Sequence, residues 1–313
     1  MAKTLSRVVL IGASGTVGSI ILKALLEDPT DNFTISVLCR PSSTATFPEH
    51  DSLKVVKTAF DDLDSLTNVF KDHDAIIHAS AIPTLPSQHV MIKAAAQAGS
   101  PKRFILNEFA NSYDQPGLPE LEQFRTPKRE ILDVAKQTAL ETNDAFSWTG
   151  LATGNFLDYA LVKYPQIGVD IRNRKARLID GGEERFSATI LKDIGTAVRG
   201  ILRRPQETRN RMCHVRSVET CQREILDVCQ RELGEMGDSW DVESVDGKEM
   251  YERGREAFAR GERNGMVDIL VAQLFQRGAK RSIVVERKKS DNDLLGVREK
   301  SIEEVVREVL KNF

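Results

Sequence analysis

The sequence VVLIGASGTVGSIILKALLE, residues 8–27, decides the fold class. Four apolar residues, Val8 to Ile11, form a short run typical of a buried strand, and an apolar-rich helical pattern follows the turn. Between them lie three glycines, Gly12, Gly15 and Gly18. A glycine-rich turn between a buried strand and a helix is typical of the first βα unit of a dinucleotide-binding fold. The sequence therefore predicts that the backbone approaches a phosphate at this turn.

Each glycine of this GxxGxxG spacing has its own role. The first permits the tight turn, the second lets the backbone approach a pyrophosphate, and the third lets the helix pack closely on the sheet. The pyrophosphate would lie at the helix N-terminus, where N–H groups and the helix dipole favour an anion. The alternative is a turn that merely tightens a βα corner. The residues predicted to bind the cofactor here are Gly12, Ser14, Gly15, Thr16, Val17 and Gly18.

Short β-like runs alternate with helical runs through the first half of the chain, which indicates βαβ units around a parallel sheet. Six strands are predicted, over residues 7–12, 33–39, 53–59, 74–81, 102–110 and 145–156. Beyond residue 156 the pattern loosens into short β segments and charged helices. We predict an α/β fold: a Rossmann-type doubly wound parallel sheet over residues 1–156 and a smaller C-terminal α+β substrate lobe over residues 157–313. Some later elements are expected to return to the first domain.

Two helix starts are predicted from capping signals. Asp64 is expected to cap the helix over residues 64–72, and Thr126 the helix over residues 126–141, with Pro127 at its first position. Lys128 would then lie in the first turn, where the helix dipole disfavours a cation. Helix stability does not account for a lysine there, which favours a functional role.

The segment after the second strand, VLCRPSSTA at residues 37–45, predicts which cofactor binds. An acidic residue here would accept a hydrogen bond from a free ribose 2′-hydroxyl. Instead Arg40, Ser42 and Ser43 offer a guanidinium and two hydroxyls, which is phosphate-binding chemistry. The sequence therefore predicts NADPH rather than NADH. Asp61 and Asp62 would lie near the adenine or cap the next helix.

Composition excludes several other classes of protein. Of 313 residues, 41% are hydrophobic and 29% charged, and the net charge of −2 gives no nucleic-acid or anionic-membrane surface. The four cysteines form no CxxC pair, and the five histidines form no HxxxH or HExxH motif, so no metal site is expected. The sequence contains no apolar stretch long enough to span a membrane and no secretory signal, so a cytoplasmic location is expected.

Several segments together resemble the NmrA-like and isoflavone-reductase-like family, an atypical branch of the short-chain dehydrogenase superfamily, with the fungal members most similar. They are IGASGTVG, CRPSS, QHVMIKAAAQAGSPKRFILNEFA, FSWTGLATGNFLDYA and DNDLLG. The resemblance implies a Rossmann domain, NADPH, and an aromatic or polyketide-like small molecule between the two lobes. The family's usual SEFG appears here as NEFA, residues 107–110.

The resemblance also bears on the catalytic residue. Short-chain dehydrogenases use Tyr-x-x-x-Lys, and Tyr159 and Lys163 match it literally, but they follow the sixth strand rather than precede it. The helix between strands five and six carries Phe124 and Lys128 at that spacing. The reductase branch of the family keeps a lysine there without the tyrosine. Lys128 is therefore the predicted catalytic residue, as acid, base or anion stabiliser, or as a group that binds the nicotinamide ribose.

The remaining predictions concern the substrate and the alternatives. Asn155, Phe156 and Tyr159 are expected to line the substrate pocket, although packing would equally explain the two aromatic residues. The segment MVDILVAQLF, residues 266–275, is expected to be a core helix. The leading function is an NADPH-dependent reductase of a conjugated or ketonic aromatic molecule. A non-catalytic NADP(H)-sensing regulator and a non-redox isomerase or cyclase stay open, as does a homodimer.

Overall fold

The computed structural model describes residues 3–80, 87–100, 102–111, 117–163, 167–234, 239–284, 286 and 289–311. Its strands are β1 Arg7–Ile11, β2 Thr34–Cys39, β3 Leu53–Lys57, β4 Ala75–His78, β5 Arg103–Ile105, β6 Trp148–Ala152, β7 Asn155–Phe156, β8 Val169–Asp170, β9 Lys175–Ile179, β10 Phe186–Thr189, β11 Arg211–His214, β12 Val218–Thr220 and β13 Asp241–Val245. Its helices are α1 Thr16–Leu26, α2 Leu63–Phe70, α3 Ser87–Ala98, α4 Glu122–Glu141, α5 Leu157–Lys163, α6 Leu191–Arg203, α7 Gln222–Glu232, α8 Gly247–Ala259, α9 Arg263–Phe275, α10 Asn292–Leu295 and α11 Ile302–Leu310.

A seven-stranded sheet in the order β11-β6-β5-β4-β1-β2-β3 forms the centre of the molecule. All its neighbouring strands pair in parallel. The central strands are mostly apolar because helices cover both faces, as a parallel sheet requires. The predicted Rossmann-type α/β fold is confirmed, and all six predicted strands are present.

Two apolar layers lie against this sheet. On one face α1, α6 and α10 bury residues such as Leu25, Val198 and Leu295. On the other face α2, α3 and α4 bury residues such as Phe70 and Ile92. Because all seven strands run parallel, their carboxyl ends lie at the same edge of the sheet. A ligand site is expected at that edge.

Two helix starts differ from those predicted for Asp64 and Thr126. The cap of α2 is Asp62, which accepts hydrogen bonds from the Ser65 amide at 3.0 Å and the Ser65 hydroxyl at 2.6 Å, so the alternative that Asp62 caps this helix is confirmed and the prediction for Asp64 is wrong. The second is α4, which begins at Glu122 instead of Thr126. This early start depends on packing and ion-pair contacts, whereas a capping pattern records only the residues at the helix end.

A short 3₁₀ turn, Pro119–Leu121, leads directly into α4. Leu121 is buried in the second core, and the Glu122 carboxylate pairs with Arg125 at 3.0 Å and also with Arg129. These contacts hold an extra helical turn ahead of Pro127, which therefore lies inside the helix. A proline in that position lacks an N–H and crowds the preceding turn, so the added contacts must offset its cost.

The second core lies beyond the first sheet. Two three-stranded sheets, β12-β10-β7 and β13-β9-β8, pack with α5, α7, α8, α9 and α11. Residues Ile269, Val271 and Phe275 of α9 are buried in this core, which confirms the prediction for residues 266–275. The predicted smaller α+β lobe corresponds to these elements.

Elements beyond residue 156 also complete the first sheet. Strand β11 pairs with β6 as the edge strand, and α6 packs on α1. The motif DNDLLG anchors this return, because Asp291 accepts a 2.8 Å hydrogen bond from the His214 amide and Asn292 accepts one from the Arg216 amide at 3.1 Å. The division of the chain at residue 156 stays a prediction, and the late elements return as expected.

Among the described residues, no helix is long and apolar enough to cross a membrane.

Candidate active site

The glycine loop brings the backbones of three elements together. Gly12 has φ +85°, and a Cβ there would lie 2.5 Å from the Ala79 carbonyl oxygen at the end of β4. A Cβ on Gly18 would lie 2.0 Å from the Gly12 carbonyl oxygen. Neither position has room for a side chain. These two glycines therefore allow the helix to begin directly against the sheet, as the spacing predicts.

Gly15 is less confined than the other two glycines. Its φ of −82° is ordinary, and a Cβ there would meet the Gly12 carbonyl oxygen at 3.3 Å. Gly15 is the N-cap of α1, and its missing side chain leaves the N–H groups of the first turn uncapped. The first turn contains no acidic residue, while Ser14 and Thr16 are exposed beside it. This open helix N-terminus fits an anionic phosphate.

A cationic corner follows at the carboxyl ends of β2 and β3. Arg40 is exposed directly after β2, and a turn closes from the Ser43 amide to the Arg40 carbonyl at 3.0 Å. Lys57 lies opposite Cys39 in the strand register, and its Nζ donates to the Ser43 carbonyl at 3.0 Å. Ser42 is exposed in the same turn. The structure therefore brings a second cation, Lys57, to the predicted 2′-phosphate position, where two cations suit a phosphate better than one.

The ends of β4 and β5 carry polar side chains next to the glycine loop. His78 is fully buried, and its Nε2 shares a 3.1 Å hydrogen bond with the Ser80 hydroxyl. Its Nδ1 is buried with no partner among the described residues. Burial lowers the pKa of His78 to about 3, which keeps the imidazole neutral. Asn107 donates from Nδ2 to the Ser80 carbonyl at 2.6 Å and joins the two strand ends.

Lys128 reaches this edge from α4, which lies between β5 and β6 as predicted. Because α4 begins at Glu122, Lys128 lies in its second turn, and the argument from the helix dipole was wrong. Its Nζ lies 3.5 Å from Oε2 of Glu108, which is 2% exposed in the loop after β5. Burial raises the pKa of Glu108, and the charge of Lys128 opposes that rise.

One turn before Lys128, Phe124 leaves 39% of its surface exposed. Residues four apart lie on the same helical face, so the ring and the ammonium are neighbours on α4. An exposed aromatic ring beside a buried ion pair can pack against a planar ligand.

The predicted substrate-pocket residues lie at two places. Asn155 and Phe156 form β7, and Asn155 Nδ2 is buried without a partner among the described residues. Tyr159 and Lys163, on α5, line a cavity of about 270 Å³ between α5, the start of α6 and α11. Neither the glycine loop nor Lys128 lines that cavity. The literal Tyr-x-x-x-Lys pair is therefore not brought together with the glycine loop.

All four cysteines are buried, and the described residues contain no cluster of side chains that could hold a metal ion. Burial raises the pKa of the Cys213 and Cys229 thiols to about 12, so neither is an activated nucleophile.

Comparisons with known proteins agree with this geometry. The model of the NmrA-like family matches residues 4–251. Oxidoreductase poxI of Penicillium oxalicum is 34% identical over 300 residues, covering 96% of this chain and 92% of the relative. Oxidoreductase aprR of Aspergillus flavus is 28% identical over 309 residues, covering 97% and 99%. The structure of AtPrR2 with NADP⁺ and (+)pinoresinol superposes with a TM-score of 0.76 at 17% identity, covering 99% and 100%.

The chain belongs to the NmrA-like family. With oxidoreductases as full-length relatives, it is an oxidoreductase of that family, and the expected resemblance is confirmed.

Two residues of the site were not singled out from the sequence. Lys57 ends an apolar strand run, and a cation at the end of a β-strand next to Arg40 was the available signal. Glu108 is the acidic residue of NEFA, and an acid directly after a buried strand was the signal there. Both depend on strand register and packing, which spacing along the chain does not encode.

Proposed function

We propose that this protein is an NADPH-dependent reductase of a conjugated or ketonic aromatic or polyketide-like small molecule. The observation that carries the proposal is one edge of the sheet where the open helix N-terminus, the cationic corner and Lys128 all lie. Cofactor binding alone would require only the open helix N-terminus and the cationic corner. A buried ammonium at the same edge adds a group able to act on a substrate.

The residues at this edge fit NADPH. Gly15 leaves the first turn of α1 open to a pyrophosphate, and Arg40 with Lys57 offers two cations for a 2′-phosphate. When bound, the cofactor supplies a hydride. Structures with this fold include one bound to NADP⁺ and (+)pinoresinol, which supports both the cofactor and an aromatic substrate.

Lys128 would act on the substrate oxygen. Negative charge develops there as hydride reaches the neighbouring carbon, and an ammonium stabilises that charge or donates its proton. The exposed ring of Phe124 lies on the same face of α4 and would pack against an aromatic substrate. Asn155, whose buried Nδ2 has no partner among the residues that the structure describes, is the proposed hydrogen-bond donor to a substrate oxygen.

The test measures NADPH consumption with a panel of aromatic ketones and enones. Lys128→Ala should lower turnover by about 10²–10⁴, the usual range for a general acid or base, while NADPH affinity changes much less. Tyr159→Phe and Lys163→Ala are the matched controls and should keep near-normal turnover. Near-normal turnover of Lys128→Ala beside an inactive Tyr159→Phe would reverse the assignment.

The same panel separates the alternative functions. A non-catalytic NADP(H)-sensing regulator would bind NADPH and consume none of it with any compound. An isomerase or cyclase would convert a compound without net consumption of NADPH.

A further inference from the structure

We propose that Glu108 is a positioning residue that holds the proton on Lys128 and aims its ammonium at the reacting oxygen. The inference rests on the proposed function for its chemistry, and on the structure for its geometry. Lys128 Nζ and Glu108 Oε2 are 3.5 Å apart, with the Lys128 side chain 19% exposed and the Glu108 side chain 2% exposed. A pair this buried is screened little by water.

The Glu108 side chain packs against β6. A Cβ at position 150 in β6 would lie 3.4 Å from Glu108 Cγ, an ordinary contact, but only 2.1 Å from Met212 Sδ. Gly150 therefore leaves room for Met212, and the Glu108 side chain lies against Gly150 beside it. The backbone on either side of Glu108 is turned tightly, since the Glu108 amide donates to the Leu106 carbonyl at 2.8 Å and the Ala110 amide donates to the Glu108 carbonyl at 2.6 Å.

The other charged groups that the structure describes near Lys128 have partners of their own or are neutral. On α4, Arg125 and Arg129 bond to Glu122. Strand β11 contributes the uncharged Met212, and His78 at the end of β4 is neutral. Among the described residues, Lys128 is the cation that the structure places against Glu108.

This pairing answers a specific chemical need. Short-chain dehydrogenases use a tyrosine hydroxyl where this chain has Phe124, so the phenolic proton is missing. An ammonium can donate its proton to the reacting oxygen, and the Glu108 carboxylate lies 3.5 Å from the Lys128 ammonium.

Reduction of a carbonyl substrate requires one hydride and one proton. A hydride from a C–H bond of NADPH, which would become NADP⁺ as that bond breaks, adds to the carbonyl carbon, and the π electrons of the C=O bond become an oxygen lone pair. That oxygen takes a proton from the Lys128 ammonium, which leaves a neutral amine and an alcohol. Because part of Lys128 is exposed, water returns the proton to the amine, and the Glu108 carboxylate holds it there.

The first experiment reads the proton on Lys128 without any substrate. The folded protein is treated with a trace of acetic anhydride at about pH 8, where an amine reacts only when deprotonated, and acetylation is measured by mass spectrometry. Glu108→Gln should acetylate Lys128 about tenfold faster than the wild type, since an opposite charge at this distance favours the charged form by at least tenfold. Lys136, exposed on the same helix, serves as the internal reference.

The matched control is Glu122→Gln, which removes a carboxylate from α4, the helix that carries Lys128. This change should leave Lys128 acetylation unchanged. If Glu108→Gln does not fold, Glu108→Asp draws the carboxylate back by one methylene and should raise Lys128 acetylation by a smaller factor. Equal acetylation of Lys128 in the wild type and the folded Glu108 variant would overturn the inference.

The second experiment uses turnover and separates this inference from the proposed function. In Glu108→Gln, kcat/KM should decline with rising pH at least about one pH unit earlier than in the wild type, with NADPH affinity unchanged. A loss of turnover that is equal at every pH would mean a purely structural role and refute the positioning role. A wild-type protein without turnover on any compound would remove the proposed function, while the acetylation result would still decide the pairing.

Discussion

Acidification should destabilise the protein through His78. Its pKa is lowered to about 3 in the folded state, whereas an unfolded histidine titrates near its ordinary value of 6.5. Between those values the unfolded state binds the extra proton, so stability is lost as the pH falls through the unfolded pKa. From about pH 7 to about pH 5, this difference costs about 2 kcal/mol.

Asp158 acts in the opposite direction over the same range. Burial raises its pKa to about 6 in spite of the hydrogen bonds that it accepts from the Leu191 and Tyr159 amides. The folded state therefore binds a proton that the unfolded state, with an ordinary value of 3.8, does not. Over the same pH step this proton adds about 1 kcal/mol of stability. The wild type should consequently lose about 1 kcal/mol, the difference of the two effects.

Two variants separate these effects. His78→Gln keeps an amide able to reach Ser80 and does not titrate, so acidification should cost it about 2 kcal/mol less stability than it costs the wild type. Asp158→Asn should lose about 1 kcal/mol more than the wild type. Urea unfolding of each protein at both pH values measures the change, and contributions shared by all three proteins cancel in the comparison. If His78→Gln loses as much stability on acidification as the wild type, the argument from His78 burial is refuted.

Two further changes probe the cofactor site. Gly15→Val should weaken NADPH binding at least about 100-fold with little change in melting temperature. A side chain there is less confined by the fold than at Gly18, but it would occupy the space through which the phosphate reaches the helix N-terminus. Unchanged NADPH affinity by calorimetry would remove the phosphate interpretation. The contrasting Gly18→Ala should lose the fold, since its Cβ would lie 2.0 Å from the Gly12 carbonyl oxygen. Arg40→Asp should weaken NADPH by about 2–4 kcal/mol and NADH far less; equal losses for both cofactors in a binding titration would show that Arg40 does not contact the 2′-phosphate.

The central sheet was predictable because its strands are covered on both faces. Residues 8–11 and 75–77 are apolar without interruption, and residues 35–38 are apolar except for Ser36, which is the pattern of a buried parallel strand; glycines mark the turns. The glycine loop was predictable because Gly12 and Gly18 lie where the neighbouring backbone leaves no room for a Cβ, so the sequence must have glycine there.

The start of α4 and the Glu108–Lys128 pair were not predictable, for one shared physical reason. The extra turn of α4 is held by buried Leu121 and by a carboxylate seven residues from Arg129, and these contacts outweigh the local proline signal. Glu108 contacts Lys128, which is 20 residues further along the chain, and its side chain packs against Gly150. Helix propensity and capping describe neighbours in sequence, whereas these features arise from packing between elements.

The buried guanidinium of Arg103 has a consequence for how the chain folds during synthesis. It donates to the hydroxyls of Thr149 at 2.7 Å and Thr208 at 2.8 Å, and also to the Pro205 carbonyl, while β11 closes the sheet edge beside β6. Two of these acceptors emerge from the ribosome about 100 residues after Arg103. Until then the guanidinium has only the hydroxyls of Ser147 and Thr149 as acceptors, and one edge of the sheet is unpaired. The first sheet should therefore close only when residues 205–214 arrive.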